Sequence, residues 1–112
     1  MTTSATISQS LYSGSRHGGV HVSRKDLATG QDAELSPSVS LALCNHSPTG
    51  FEWGYGGSGP AQLALALLLD ATGNPELALR LHQSFKWNFV ARWRGDWEIS
   101  SQTILDWVHA HR

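Results

Sequence analysis

The chain has 112 residues, with 8 basic and 9 acidic side chains and a formal net charge of −1. This length suits one domain and is too short for a complete doubly wound sheet with a separate substrate domain. The near-neutral charge provides no general attraction to nucleic acid or to a membrane surface, so either would require a local patch.

The single cysteine, Cys44, excludes an internal disulfide and favours a reducing compartment. The first residues lack the charged and apolar runs of a signal peptide. The longest apolar run covers residues 63–69 and is far shorter than the roughly 20 residues of a membrane span. We therefore expect a cytoplasmic protein that does not associate with membranes.

Residues 1–9 are polar and without pattern, which predicts a flexible tail in front of one domain over residues 10–112. The runs SLYSGS (10–15) and GVHVS (19–23) are rich in strand-forming residues and predict an early antiparallel pair. The polar stretch that follows, 24–38, contains Gly and Pro as breakers and predicts a loop.

Two further short runs favour strands. Residues 39–43, VSLAL, alternate larger apolar with smaller side chains, which is typical of a half-buried strand. After the turn-forming stretch NHSPTG, the run FEWGY at 51–55 predicts another strand. Residues 97–99, WEI, predict a short strand late in the chain.

Helices dominate the second half. Pro60 suits a first helical position and Gly73 a stop, which predicts a helix over 60–71 that is apolar on nearly every side and therefore buried. Asn74 and Pro75 begin a second helix. Its inward stripe, at four-residue spacing, comprises Leu77, Leu81, Phe85 and Phe89.

A last helix begins at Ser100 or Ser101 and runs through about His109. Its predicted inward residues are Ile104, Leu105 and Val108. Together these patterns predict an α+β domain in which N-terminal antiparallel strands pack on about three C-terminal helices, the first of them buried.

Gly54, Gly56 and Gly59 form a G-x-G-x-x-G pattern in front of the first predicted helix. Such a loop can hold phosphate at a helix N-terminus. However, Pro60 removes one N–H, no strand with a terminal acid follows, and no Lys-Ser or Lys-Thr pair completes a P-loop. A tight structural turn is the favoured interpretation. The alternative is a ligand loop formed by Tyr55, Gly56, Gly57, Ser58 and Gln62.

The string NHSPTGFEWGYGGSGPAQLALALLLDATG, followed by LALRLHQSFKWNFVA, resembles a family of short bacterial proteins of unknown function that also occur on phages and plasmids. The resemblance covers roughly residues 45–91, and its most specific part is GFEWGYGGSGPAQLA. It implies no activity and no catalytic residues, and it suggests an accessory role in mobile elements.

The second helix carries a candidate partner surface. Helical spacing places Trp87 opposite the apolar stripe, beside Arg80, Gln83 and Lys86, with His82 at the edge of this sector. An exposed tryptophan among basic residues can anchor a protein or stack on nucleic-acid bases. Alternatively, the N-terminal strands cover Trp87 and the basic stems pack around it.

Catalytic and metal sites have weaker support. Cys44 and His46 would share one face of a strand with Cα atoms about 6.5–7 Å apart, and no third residue that could orient them is evident. The histidine pairs His17 and His21, and His109 and His111, lack the spacing and the companions of a ligand set. We predict no catalytic residues, no metal and no cofactor.

The first functional hypothesis is a non-enzymatic interaction protein that binds and blocks a partner protein. The resemblance implies an association with phages and plasmids. An anti-CRISPR-like inhibitor of a host defence complex is therefore one concrete form of this hypothesis. The alternative is a nucleic-acid or nucleotide binding module that uses the loop from Gly54 to Gly59 and the basic face of the second helix. A small thiol enzyme built on Cys44 and His46 is the least favoured hypothesis.

Overall fold

The computed structural model describes residues 9–112 and contains one four-stranded antiparallel sheet and four α-helices. The strands, in the sheet order β3-β2-β1-β4, are β1 (Ser10–Ser15), β2 (His21–Asp26), β3 (Asp32–Glu34) and β4 (Trp97–Ser100). The helices are α1 (Ser38–Leu43), α2 (Ser58–Thr72), α3 (Pro75–Asn88) and α4 (Ser101–His111). A single 3-10 turn, Val90–Arg92, follows α3.

The predicted α+β class is confirmed, while residues 1–8 of the predicted tail lie outside the described part of the chain.

Helix α2 forms the centre of the domain, as predicted. Every residue from Gly59 to Leu68 is buried. The helix ends at Gly73, whose backbone is left-handed (φ 64°) and whose N–H donates to the Leu69 carbonyl at 2.8 Å. A helix without a polar face must be covered by other elements on all sides, so the sheet and the remaining helices surround it.

The starts of α3 and α4 follow ordinary capping chemistry. Asn74 Oδ1 accepts a hydrogen bond from the Leu77 N–H, and Ser100 Oγ accepts one from the Thr103 N–H. Both bonds satisfy N–H groups that the first helical turn leaves free. Ser100, and not Ser101, is therefore the cap of α4, and Ile104 and Val108 point into the core as predicted.

Two predicted inward residues are less buried than their neighbours. Phe89 lies just beyond the end of α3 and is half-buried, and Leu105 is also only half-buried. Trp107 is the large side chain that α4 buries, and its ring meets Phe85 edge-on with centroids 5.2 Å apart.

A tryptophan cluster joins the sheet to the loop before α2. Trp97 of β4 stacks on Trp93 and meets Trp53 edge-on, with ring centroids 4.2 and 5.6 Å away. The indole of Trp97 lies directly over Gly14 of β1, where an added Cβ would come within 2.4 Å of the ring. Gly14 therefore provides the space that the cluster requires.

One ionic contact ties α2 to the sheet. Asp70, near the end of α2, accepts a hydrogen bond from the Tyr12 hydroxyl at 2.6 Å and contacts the guanidinium of Arg24. Burial and the neighbouring Asp70 carboxylate raise the pKa of Tyr12 well above its usual range, so its hydroxyl keeps its proton and donates.

The strand predicted over residues 39–43 is wrong, because this segment lies within helix α1. Val39 is 66 % exposed and Ser40 is buried, the reverse of the burial predicted for these two positions. Ser40 is buried because its hydroxyl accepts a hydrogen bond from the side chain of Gln62 in α2. Periodicity alone cannot separate a short buried strand from a short helix.

Two other predictions of local structure are also corrected. Residues 51–55 form no strand and include Gly54 at a positive φ of 91°, although Phe51 and Trp53 are buried as a strand would bury them. The predicted loop 24–38 instead contains the end of β2, all of β3 and the start of α1. Asp26 closes the β2–β3 turn by accepting hydrogen bonds from the N–H groups of Ala28 and Thr29.

The structure offers no membrane-crossing element within residues 9–112, since no helix there combines sufficient length with sufficient hydrophobicity.

Substitution of Leu65 by Asp should unfold the domain. Leu65 is completely buried in α2, and an unpaired buried charge costs several kcal/mol, comparable to the roughly 5–15 kcal/mol that stabilises a typical domain. Leu79→Asp in α3 is the matched control, because Leu79 is 38 % exposed. Far-UV circular dichroism and urea titration distinguish the two variants. A cooperative transition for Leu65→Asp with a near-normal midpoint would contradict the central position of α2.

Candidate functional site

The glycine loop in front of α2 is shaped by close contacts. Gly54 has a positive φ of 91°, donates its N–H to the Val90 carbonyl at 3.0 Å, and leaves space for the Trp93 carbonyl. Gly59 faces Glu52, and a Cβ at this position would lie 2.7 Å from the Glu52 Cβ. These contacts give two of the three glycines in the G-x-G-x-x-G pattern a steric explanation.

The third glycine of the pattern, Gly56, lies under the indole of Trp87. An added Cβ at Gly56 would be 2.1 Å from Cη2 of Trp87, so the ring rests on the backbone itself. Its neighbour Gly57 is covered in the same way by the ring of Tyr55, with a distance of 2.5 Å. Trp87 and Tyr55 nevertheless remain 57 % and 52 % exposed. We call Tyr55, Gly56, Gly57, Ser58 and Trp87 the aromatic loop surface.

Lys86 lies beneath this surface. The residue is buried, its ammonium donates to the Gly56 carbonyl at 3.1 Å, and the same nitrogen lies 4.5 Å from the centroid of the Trp87 ring. The cation therefore contacts both the loop and the indole, and a cation over an aromatic face is attracted by the ring quadrupole. Lys86 supports Trp87 and does not contribute an exposed charge.

Gln62 belongs to the interior. Its Oε1 accepts hydrogen bonds from the N–H groups of His46 and Ser47, and its Nε2 donates to Ser40 Oγ and to the Cys44 carbonyl. These four bonds satisfy the whole side-chain amide. Gln62 is fully buried and so ties residues 40–47 to α2, away from the aromatic loop surface.

The remaining predicted site residues are exposed. Ser58, Arg80 and Gln83 all lie at the surface of the domain. Arg80 precedes Trp87 by seven positions on α3, a separation of about 10 Å along the helix axis and nearly the same side of it. In the structure Trp87 contacts the predicted ligand loop, and Arg80 and Gln83 are exposed on the same helix as Trp87. Lys86 and Gln62 are buried and do not belong to the exposed face.

Cys44 and His46 are in contact, and they have a third partner. Cys44 Sγ lies 3.5 Å from His46 Nε2, and His46 Nε2 lies 2.9 Å from Nε2 of His82. His82 comes from α3 and is 36 positions later in the sequence, so local spacing could not reveal it. No group of three or more His, Cys, Asp or Glu side chains within residues 9–112 has a geometry that could hold a metal ion.

The surroundings of His82 favour its neutral form. Burial lowers the pKa of His82 below its usual value, and the nearby His46 and Lys86 act in the same direction. The carbonyl of Leu79, 2.8 Å from Nδ1, can only accept, so Nδ1 carries the proton and Nε2 presents a lone pair to His46.

These features define a small α+β domain with an aromatic loop surface and a separate cysteine–histidine cluster. The family described as "Family of unknown function (DUF6166)" matches residues 12–110, and the chain therefore belongs to this family. No curated protein and no solved structure matches the chain.

Acid should weaken the fold through His82. Because its folded pKa lies below that of the unfolded chain, the unfolded state binds more protons between the two values, and stability is lost as the pH falls through that interval. The urea midpoint should therefore drop more between pH 7.5 and 5 in the wild type than in His82→Asn. His109→Asn is the control, since His109 is exposed. Equal drops in all three proteins would contradict this role of His82.

Gly56→Ala should displace the Trp87 ring without unfolding the domain. The added methyl group meets the far edge of an exposed side chain, which can move away at little energetic cost. In protein labelled with 5-fluorotryptophan, the ¹⁹F resonance that Trp87→Phe removes should shift. Gly57→Ala is the matched control, because its methyl group meets Tyr55 instead. An unchanged Trp87 resonance in Gly56→Ala would show that the ring does not rest on the loop.

Proposed function

We propose that this protein is a non-enzymatic, cytoplasmic interaction protein that binds and blocks a partner protein through its aromatic loop surface. The observation that carries the proposal is Trp87, which is 57 % exposed and yet packs on the backbone of Gly56 and on the Lys86 ammonium. Gly56 supports the indole from the loop, and the Lys86 ammonium contacts its face. An exposed aromatic ring fixed before binding loses little conformational freedom when a partner covers it.

The other tryptophans have structural uses. Trp53, Trp97 and Trp107 are buried, and Trp93 is half-buried against Trp97. Trp87 stands apart from them. Tyr55, on the adjacent loop, adds a second exposed ring. Tryptophan and tyrosine are among the residues that contribute most to the energetics of protein interfaces, particularly when surrounded by less critical polar contacts.

The polar residues near this surface suit the edge of an interface. Arg80 and Gln83 are exposed on α3, and Ser58 is exposed at the start of α2. Arginine is enriched at protein interfaces. The burial of Lys86 leaves little concentrated positive charge beside Trp87, which favours an apolar anchor over an electrostatic one.

A nucleic-acid or nucleotide ligand is the alternative occupant. The two exposed rings, Tyr55 and Trp87, could stack on bases, which is the observation that favours it. Against it, the ammonium of Lys86 is already bonded to the Gly56 carbonyl, and the Ala61 N–H donates to the Gly57 carbonyl. Pro60 has no N–H to offer a phosphate.

The mobile-element setting implied by the resemblance of residues 45–91 gives the proposal a more specific form. A small protein that covers a functional surface of a host defence complex would act as an anti-CRISPR-like inhibitor. This form requires only binding.

The test is partner capture with the tagged protein, identification by mass spectrometry, and affinity measurement with the purified partner. Trp87→Ala should weaken binding by about 2 kcal/mol or more, roughly 30-fold, as loss of a central aromatic anchor does. Its thermal unfolding should remain close to wild type, since exposed substitutions usually change stability by about 0.5 kcal/mol or less.

Leu27→Ala is the control for removal of an exposed apolar side chain, because Leu27 is 49 % exposed in the β2–β3 turn, away from the loop. It should bind normally. Affinity that falls steeply with salt and is reduced by Arg80→Glu would indicate nucleic acid instead, because phosphate contacts release counterions. Full binding by folded Trp87→Ala would refute the proposed surface.

A further inference from the structure

Strand β3 is an open edge of the sheet. It lies outside β2 in the order β3-β2-β1-β4, and within residues 9–112 no strand pairs with its other side. At one end of this ladder the N–H of Leu35 donates to the Val22 carbonyl at 2.8 Å. Bonded and non-bonded pairs alternate along an antiparallel ladder, so the N–H and C=O groups of Asp32 and Glu34 point away from β2. All three residues of β3 are exposed, and these backbone groups are open to another chain.

A cavity of about 370 Å³ adjoins the open edge of β3. Glu34 of β3 and Val39 of α1 both line it, so the cavity lies between the edge strand and that helix. Its other apolar lining comes from Leu35, which follows β3, and from Ala66 and Leu69 of the buried helix α2. Val39 is 66 % exposed, and Leu35 and Leu69 are only half-buried. An extended chain along β3 would therefore have apolar space beside it for side chains of its own.

Two carboxylates give the same edge a negative charge. In the sheet, Ala33 is opposite Arg24 and Arg24 is opposite the buried Tyr12, so Ala33 lies on the face that packs against the core. Asp32 and Glu34 alternate with Ala33 and therefore lie on the outer face of the sheet. Within residues 9–112 neither carboxylate forms an ion pair. The outer face of an added strand would therefore be attracted to β3 if it carried basic side chains.

We propose that the free edge of β3 docks an extended segment of another protein in which basic and apolar residues alternate. The segment adds to the sheet as a fifth strand and bonds to the backbone of Asp32 and Glu34. Because successive side chains of a strand point to opposite faces, its apolar residues enter the cavity beside Val39 while its basic residues meet the two carboxylates. None of these residues belongs to the aromatic loop surface, so the inference is independent of the function proposed for Trp87.

Charged side chains on a short edge strand also protect a sheet against unwanted pairing. Protection alone requires neither an open apolar cavity beside the edge nor an exposed Val39 on its far side. The two features together suit a groove between a strand and a helix, in which backbone bonds provide affinity and the cavity selects alternate side chains. The carboxylates of Asp32 and Glu34 then restrict docking to segments of opposite charge.

The test titrates the ¹⁵N-labelled full chain with a synthetic peptide of alternating lysine and valine and follows the backbone amides by NMR. The amide resonances of Asp32 and Glu34 should shift, and exchange of their protons with D₂O should slow, because both N–H groups become hydrogen-bonded. A peptide of alternating glutamate and valine is the matched control and should cause no shift. N-methylation of all lysines, or of all valines, should abolish binding in one of the two peptides, since only one edge of an added strand faces β3.

Two variants separate the backbone bond from the charge. Glu34→Gln and Glu34→Pro both remove the carboxylate, but only proline removes the N–H that points away from β2, and an edge strand tolerates proline at such a position. Glu34→Pro should therefore keep the circular dichroism spectrum of the wild type and bind the lysine–valine peptide at least about fivefold more weakly than Glu34→Gln does, as loss of one hydrogen bond predicts.

Three results would overturn the proposal. The first is the absence of shifts at Asp32 and Glu34 in excess lysine–valine peptide, or shifts centred on Trp87 instead. The second is equal binding of the glutamate–valine peptide. The third is full binding by both N-methylated peptides, which tests the backbone bonds even if Glu34→Pro does not fold.

Discussion

The rest of the structure depends on one constraint, which is that helix α2 has no face it can leave in water. From Gly59 to Leu68 every residue is buried, so the helix must be covered by the sheet, by α3 and α4, and by the irregular segments. The glycines at its start follow from the same requirement, because the chain must enter a crowded interior. At Gly59, for example, an added Cβ would lie 2.7 Å from the Glu52 Cβ and 3.3 Å from the Glu52 backbone nitrogen.

Two polar side chains of α2, Asp70 and Gln62, fix how the surrounding elements pack on this helix. Asp70 bonds to Tyr12 and Arg24 and so fixes the sheet against the end of the helix. Gln62 bonds to the backbone of Cys44, His46 and Ser47 and to the Ser40 hydroxyl, which holds α1 and the following turn against α2. A buried amide whose bonds are all satisfied specifies one arrangement, because any other would leave its polar atoms without partners. The contact between His46 and His82 is a consequence of this attachment.

The sequence was informative where structure depends on neighbouring residues. Caps at Asn74 and Ser100, the stop at Gly73 and the apolar length of α2 all act within a few positions, and the helices they predict are present. The sequence was misleading where local structure or burial depends on a residue far away in the chain. Ser40 is buried where its hydroxyl accepts a hydrogen bond from Gln62, and the segment predicted as a strand is helix α1. Lys86 has an unremarkable sequence context, and only the folded loop brings the Gly56 carbonyl within reach of its ammonium.

The burial of Lys86 beneath Trp87 requires a physical explanation. Removing an ammonium from water is unfavourable, and a single carbonyl together with one aromatic face offsets that cost only in part. An apolar side chain at this position would fill the space without the desolvation penalty, so stability alone gives a weak reason for a lysine. Orientation gives a stronger one, because the cation contacts both the Gly56 carbonyl and the face of Trp87 and so favours one orientation of an exposed indole. The proposed binding role of Trp87 accounts for this support, because a ring that meets a partner in a defined geometry gains from being oriented before the partner arrives.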